Sequence, residues 1–229
     1  METGSRQTYT GTKLETADTA KGSRRSTAPI LDPTVGALGR TLNVQGVRLA
    51  CGRRAPPRSG TFPYHSHLHE MRQIGSGMYG AIIVSDTPRD TTRDHVIVAG
   101  GGGLPVFYKQ TPNFLLVNGR RTPRPITMTV GEPNRVRIVS IHADEILHFR
   151  FGTEGHVAQW KPLARDGADL PSALRNPKDA LMTMGPGETA DFIYVPAKPG
   201  DMGLEVWTEG GARVLLRVEI KAKSVALKR

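Results

Sequence analysis

The stretch GTFPYHSHLHE, residues 60–70, sets three histidines at every second position behind two aromatic residues. The other four of the chain's seven histidines are scattered between residues 95 and 156. Alternate residues of a β-strand point to the same face of a sheet, so His65 and His67 would project side by side. Paired imidazoles suit Cu, Zn, Fe or Ni. The stretch therefore predicts a strand that carries a metal site; the alternative is an edge strand with merely polar histidines.

Short apolar runs separated by turn residues continue through the rest of the chain. Runs such as YGAIIVS, RVRIVSI and TADFIYV have strand length, and Asn118-Gly119 and Asp166-Gly167 are typical hairpin turns. The chain contains 26 Gly and 17 Pro, a composition that favours many short strands over long helices. This pattern predicts an all-β protein, an antiparallel sandwich or barrel.

The net charge of +10 is concentrated in the first quarter of the chain. Residues 1–58 hold 10 Lys/Arg against 4 Asp/Glu, a net of +6, whereas residues 59–229 hold 21 against 17, a net of +4. Tyr9 is the only aromatic residue of that basic segment, while nucleic-acid surfaces interleave basic with aromatic residues. We therefore expect residues 1–54 to form a disordered or non-native-like basic arm, and we expect no nucleic-acid partner.

Other classes are limited by what the sequence lacks. No apolar run is long enough to span a membrane, so we expect no membrane partner. The first residues lack the apolar core of a secretory signal. The single cysteine, Cys51, excludes an internal disulfide and a cysteine-based zinc knuckle.

A family resemblance enters at residues 56–86, PPRSGTFPYHSHLHEMRQIGSGMYGAIIVSD. They resemble the second copper motif of the laccase-like multicopper oxidases, G-T-x-x-Y-H-S/T-H followed by G-L/M-x-G-x-x-I-V. Later segments resemble parts of a following cupredoxin domain in that family; they are LVNGRRTPRPITMTVGEPNRVRIVSI, RDGADLP and MGPGETADFIYVPAKPGD. The resemblance covers residues 55–220.

The resemblance implies a cupredoxin-like Greek-key β-sandwich fold and a division into domains. Residues 55–90 would be the C-terminal part of a copper-binding cupredoxin domain. Residues 91–222 would be a second cupredoxin-like domain without its own copper.

The resemblance also implies copper as the cofactor, with His65 and His67 as ligands of the paired type 3 coppers in a trinuclear cluster. That cluster binds and reduces O2, so O2 and a small reducing substrate would be the partners of the complete enzyme. His69 stands at a position that is usually not a ligand in the family. The family usually works outside the cytoplasm, although this sequence alone leaves the localisation unknown.

The ligand count falls short of a complete enzyme. The family's cluster uses eight histidines in four H-x-H motifs, and its electron-entry copper adds a cysteine and two more histidines. This chain offers one convincing H-x-H, and Cys51 lies between Ala50 and Gly52. We therefore assign no catalytic residue and expect an incomplete chain: a truncated or frame-shifted product, or a subunit that needs a partner chain or homo-oligomer to complete the cluster.

Two alternatives remain open from the residues. The spacing G-x4-H-x-H-x2-E-x4-G comes near the first motif of the cupins, which are mononuclear metalloenzymes. The second cupin motif needs a histidine after P-x-G, and MGPGETADF has none. The other alternative is a non-catalytic β-sandwich interaction module.

Overall fold

The computed structural model describes residues 39–45, 58–65, 70–103 and 114–223. In these ranges the chain forms β-strands and very little helix. The strands are β1 (Gly39–Gln45), β2 (Gly60–His65), β3 (Tyr79–Ser85), β4 (Asp94–Gly102), β5 (Phe114–Val117), β6 (Ile126–Thr129), β7 (Asn134–Ile141), β8 (Leu147–Thr153), β9 (His156–Val157), β10 (Gln159–Arg165), β11 (Ala168–Asp169), β12 (Lys178–Asp179), β13 (Leu181–Met184), β14 (Thr189–Tyr194), β15 (Gly200–Thr208) and β16 (Arg213–Lys221). The helix α1 (Glu70–Gly75) and a 3₁₀ turn (Ser172–Leu174) complete the described elements.

The strands form three sheets. The small sheet has the order β1-β3-β2. The central sheet has the order β11-β10-β14-β7-β4-β5, with β12 added to β10, and the outer sheet has the order β13-β8-β15-β16-β6, with β9 added to β8. No helix in the described ranges is both long and apolar enough to cross a membrane.

The main hydrophobic core lies between the central and outer sheets. Ile138 and Trp160 face it from the central sheet, and Phe149 and Leu216 face it from the outer sheet. On β16, buried and exposed residues alternate along the whole strand, so one face packs on the core and the other faces solvent. The expectation of an all-β sandwich is confirmed.

The small sheet covers the opposite face of the central sheet. Tyr79 and Ile83 of β3 pack there against Val98, Val139 and Ile141 in a second buried cluster. β7 is therefore buried on both faces: Ile138 packs in the main core, and Val139 and Ile141 pack in the second cluster.

The sheets are mixed, whereas the sequence pattern favoured antiparallel ones. β4 runs parallel to β7, β6 parallel to β16, and β1 parallel to β3. After β5 the chain passes to the outer sheet for β6 and returns to the central sheet as β7, so β7 enters beside β4 in the same direction. Local apolar patterns do not contain this exchange between sheets.

The N-terminal segment differs from expectation at one place. Within residues 1–54, expected to be a disordered arm, the backbone at Gly39–Gln45 forms β1, which pairs with β3. Pairing with a distant strand supplies these backbone hydrogen bonds, so the short segment needs no apolar period of its own. The rest of residues 1–54 lies outside the described residues, and the domain division at residues 54 and 90 stays a prediction.

Candidate metal centre

The candidate site is built on the antiparallel pair of β2 and β3. His65 ends β2 and lies opposite Tyr79 of β3. Residues directly opposite each other share a face of the sheet, so His65 is on the face that buries Tyr79 and Ile83 against the central sheet. The side chain of His65 is half-buried. His67 and His69 lie outside the described residues, so the structure places one of the two predicted ligands.

The donor chemistry of this strand end fits copper in kind. A neutral imidazole is a good copper ligand, and His65 sits at the end of a strand anchored on the buried face of the small sheet. Within the described ranges, however, no group of three or more His, Cys, Asp or Glu side chains lies close enough to hold a metal ion. The described residues alone therefore do not form a complete copper site.

A buried ionic network joins β2 to the central sheet. Arg137 of β7, 3% exposed, donates from Nε and Nη2 to the two carboxylate oxygens of Asp94, over 2.6 and 2.9 Å. Its Nη1 donates to Asp191 Oδ2 over 3.0 Å and to Thr61 Oγ1 over 2.9 Å. The Thr61 hydroxyl donates in turn to Asp191 Oδ1 over 2.8 Å. β4, β7, β14 and β2 thus meet at one guanidinium.

Two further arginines balance the carboxylates. Arg89 Nε donates to Asp94 Oδ2 over 2.9 Å, and Arg135 pairs with Asp191. Burial opposes the charged form of Asp94, but the hydrogen bonds and charges of Arg137 and Arg89 outweigh that effect. The pKa of Asp94 therefore lies below its ordinary value.

The hairpin turn between β10 and β11 supports the start of β2. Thr189 Oγ1 accepts a hydrogen bond from Gly167 N over 3.2 Å and donates one to the Thr61 carbonyl over 2.9 Å. Arg58 Nε donates to the Gly167 carbonyl over 2.7 Å. The ring of Phe62 packs against Gly167 so closely that a Cβ there would clash with it.

Tyr79, the neighbour of His65 across the sheet, is almost fully buried. Its ring lies over Gly100, and its hydroxyl has no hydrogen-bond partner among the residues that the structure describes. Burial raises the pKa of Tyr79 far above its ordinary value, so the phenol stays protonated.

The remaining histidines are not brought to this site. His95 is buried, with Nε2 3.1 Å from Asn134 Oδ1. His142 is also buried; Asp144 Oδ1 lies 3.2 Å from its Nδ1 but out of line for a hydrogen bond. His148 stacks on Trp207 in the outer sheet, and His156 is exposed.

Sequence reasoning missed Thr61, Asp94 and the pairing of Arg137. Arg137 does stand in the quoted segment GEPNRVR, and Thr61 in GTFPYHSH. The bonded residues of the network are 43 to 130 positions apart in the chain, and no local pattern joins them. A signal that could have found them is a charged residue inside an apolar strand run, Arg137 in RVRIVSI and Asp191 in TADFIYV, because a buried charge needs a partner.

This chain resembles known proteins in its structure but not closely in its sequence. No family model matches the chain, and no curated protein matches it. A solved structure of a multicopper oxidase matches with a TM-score of 0.58 and 19% identity, over 72% of this chain and 57% of that one. A bacterial laccase-like multicopper oxidase from Ochrobactrum sp. matches with a TM-score of 0.56 and 22% identity, over 75% and 43%.

Copper nitrite reductase from Nitrosomonas europaea also matches, with a TM-score of 0.53 and 17% identity, over 72% of this chain and 63% of that one. The chain therefore spans from about two fifths to just under two thirds of the length of these three structures. At such identities the likeness shows the fold. The described part of this protein has the cupredoxin-like β-sandwich fold that it shares with the multicopper oxidases.

Proposed function

We propose that this chain binds copper through His65 and His67 as part of an oxidoreductase of the multicopper-oxidase type. The observation that supports the proposal most directly is the position of His65, at the end of β2 on the face it shares with Tyr79. The H-x-H spacing would set His67 on the same face if the strand direction continued. The shared fold supports copper over other metals that imidazole accepts.

In the complete enzyme, this chemistry would couple the oxidation of a small reducing substrate to the reduction of O2. Four electrons and four protons convert one O2 into two waters, and the oxidation of the substrate supplies the four electrons. The seven histidines and one cysteine of this chain cannot supply a full trinuclear cluster and an electron-entry copper. We therefore propose that a partner chain or a second copy completes the cluster, and that residues 55–90 and 91–222 belong to successive cupredoxin domains.

Copper loading of the purified full chain tests the proposal. The protein is incubated with Cu(II), freed of unbound metal, and then analysed for copper per chain and for its near-UV and visible spectrum. We expect bound copper that His65→Ala and His67→Ala each remove. His156→Ala is the matched control, since His156 is an exposed histidine on β9.

Three outcomes decide between the readings. A near-UV band of coupled type 3 copper that His65→Ala abolishes would support the proposal and the completion of the cluster between chains. Equal copper in wild type and His65→Ala would contradict it. Binding of one Fe or Mn per chain without preference for copper would contradict it in favour of the cupin-like alternative.

A further inference from the structure

The ionic network around Arg137 is better explained by the positions that it fixes than by the stability that it adds. Arg137, Asp94 and Asp191 are charged and largely withdrawn from water, and removing charges from water costs free energy that pairing recovers only with good geometry. Pairs of this kind contribute little net stability compared with apolar residues of the same volume, but they accept few arrangements of their partners. The network therefore defines position more than it adds stability.

The small sheet enters this network through the Thr61 hydroxyl. Thr61 is 1% exposed, and its Oγ1 both donates to Asp191 and accepts from Arg137. Its carbonyl accepts from the Thr189 hydroxyl. Three hydrogen bonds to β7 and β14 thus fix one residue of β2.

That residue lies on the same face of β2 as His65. The two are separated by four positions, and even separations keep a shared face. Slippage of β2 by one residue would bring Gly60 or Phe62 to the network and turn His65 to the opposite face. Neither of those residues has a side-chain hydroxyl to offer Arg137 and Asp191.

Outside the network, the register of β2 is supported by its ladder with β3 and by the packing of Phe62 on Gly167. β2 is an edge of the small sheet in the described strand order, and it contains Pro63, which has no N–H to donate to a ladder. Because its neighbours Gly60 and Phe62 have no hydroxyl, Thr61 allows the network to favour one register of β2 over those shifted by one residue.

We propose that Arg137 and Asp191, acting through Thr61, are positioning residues that hold β2 in the register that presents His65 for copper binding. The proposal rests on the proposed function, because it concerns the same site. It goes beyond it in assigning a role to residues that do not contact the metal and belong to other strands.

Substitution at Thr61 separates positioning from stability. Thr61→Val keeps the shape of the side chain and removes the hydroxyl, and Thr61→Ser keeps the hydroxyl. We expect Thr61→Val to weaken copper binding by about tenfold or more, an effect at least as large as the lower end of that seen when a residue that orients a metal ligand is removed, and to change the copper spectrum. Thr61→Ser should stay within about twofold of wild type, since the hydroxyl is retained.

A stability-matched control comes from the main core. Val218→Ala, in β16 on the far side of the sandwich, lowers stability without touching the small sheet. Copper affinity is measured by competition with a chelator, and the free energy of unfolding by urea titration of the same samples. We expect Val218→Ala to lower stability with copper affinity within about twofold of wild type, because its cavity lies in the other cluster.

Distinct failures contradict distinct claims. If His65→Ala binds copper like wild type, the proposed function fails. If copper depends on His65 but Thr61→Val binds it normally, or if Val218→Ala weakens binding as much as Thr61→Val, the positioning role alone is wrong. Should Thr61→Val not fold, Thr189→Val removes the hydroxyl that holds the Thr61 carbonyl and is expected to weaken copper binding in the same direction.

Discussion

His95 ties the stability of the fold to pH at the level of one side chain. It is 9% exposed, and its Nε2 lies 3.1 Å from Asn134 Oδ1. Burial lowers the pKa of His95 below its ordinary 6.5, against the opposing effects of the Asn134 hydrogen bond and the Asp94 charge. The folded protein therefore resists a proton that the unfolded chain accepts.

The sign of the effect follows from proton binding. As the pH falls below 6.5, the unfolded chain gains a proton at His95 before the folded state does, so the free energy of unfolding decreases. The slope for one such proton reaches at most about 1.4 kcal/mol per pH unit. Below the lowered folded pKa both states are protonated and this loss stops.

We predict that His95→Gln flattens the pH dependence of stability between neutral pH and mild acid. Urea unfolding at several pH values measures the slope for wild type and variant, because glutamine keeps a polar side chain but cannot take up the proton. His156→Gln, at an exposed position, should leave the slope of wild type unchanged. Identical slopes in wild type and His95→Gln would show that His95 takes up its proton equally in both states.

At the scale of elements, the hairpin between β10 and β11 supports a strand that is more than a hundred residues distant. Asp166 and Gly167 both have positive φ, 48° and 69°, as a two-residue turn of this type requires. Position 167 requires a glycine for a second reason, because the Phe62 ring of β2 lies where a Cβ would be. Gly155 has nearly the same φ, 71°, but nothing within 4 Å of a Cβ.

We predict that Gly167→Ala costs more than Gly155→Ala. Both alanines carry the left-handed backbone penalty of roughly 1–2 kcal/mol, but only the first also displaces Phe62 and the start of β2. The free energies of unfolding from urea titration give the comparison. Equal losses for the two variants would mean that Phe62 moves aside without cost and that the hairpin does not hold β2.

These elements show which parts of the fold could be predicted from the sequence. Asn118-Gly119 and Asp166-Gly167 form turns because their residue types tolerate positive φ. In β16, apolar and polar residues alternate because one face of the strand packs on the core and the other faces solvent. Such causes are local, so a local pattern contains them. The parallel entry of β7 beside β4, and the meeting of Arg137 with Thr61, depend on which strands the three sheets bring together.

The candidate site divides in the same way. His65 was predicted because its spacing to His67 is local, and its place opposite Tyr79 follows from the pairing of two neighbouring strands. Its assignment to copper came from resemblance, and it stays a prediction. The contacts of Thr61 with Arg137 and Asp191 could not be predicted from the sequence, because they join the small sheet to the central sheet.

At the scale of the whole molecule, the central sheet is covered on both faces by unequal layers. The main core between the central and outer sheets is built from residues 97–220. The second core combines the small sheet and α1 with the opposite face of the central sheet. The predicted domain boundary near residue 90 therefore separates Tyr79 and Ile83 from the Val98, Val139 and Ile141 side chains that they bury.

We predict that a fragment of residues 91–222 folds cooperatively but less stably than the full chain, and that it self-associates. It keeps the whole main core, but Val139 and Ile141, 0% and 2% exposed in the full chain, lose their cover. Each such side chain loses roughly 1.5–3 kcal/mol of burial. Arg137 and Asp191 also lose Thr61. Urea unfolding and sedimentation of the fragment and the full chain measure both effects.

A second fragment shows whether the uncovered face is the cause. Val139→Thr with Ile141→Thr keeps two β-branched residues in β7 and makes that face more polar, so this fragment should remain monomeric where the first self-associates. A fragment that is as stable as the full chain and associates no more than it does would show that residues 91–222 form an independent domain and that the small sheet is dispensable to it. A fragment that does not fold would show that the main core depends on the small sheet. The small sheet, whose strand β2 carries His65, would then be needed for the sandwich to fold as well as for the position of His65.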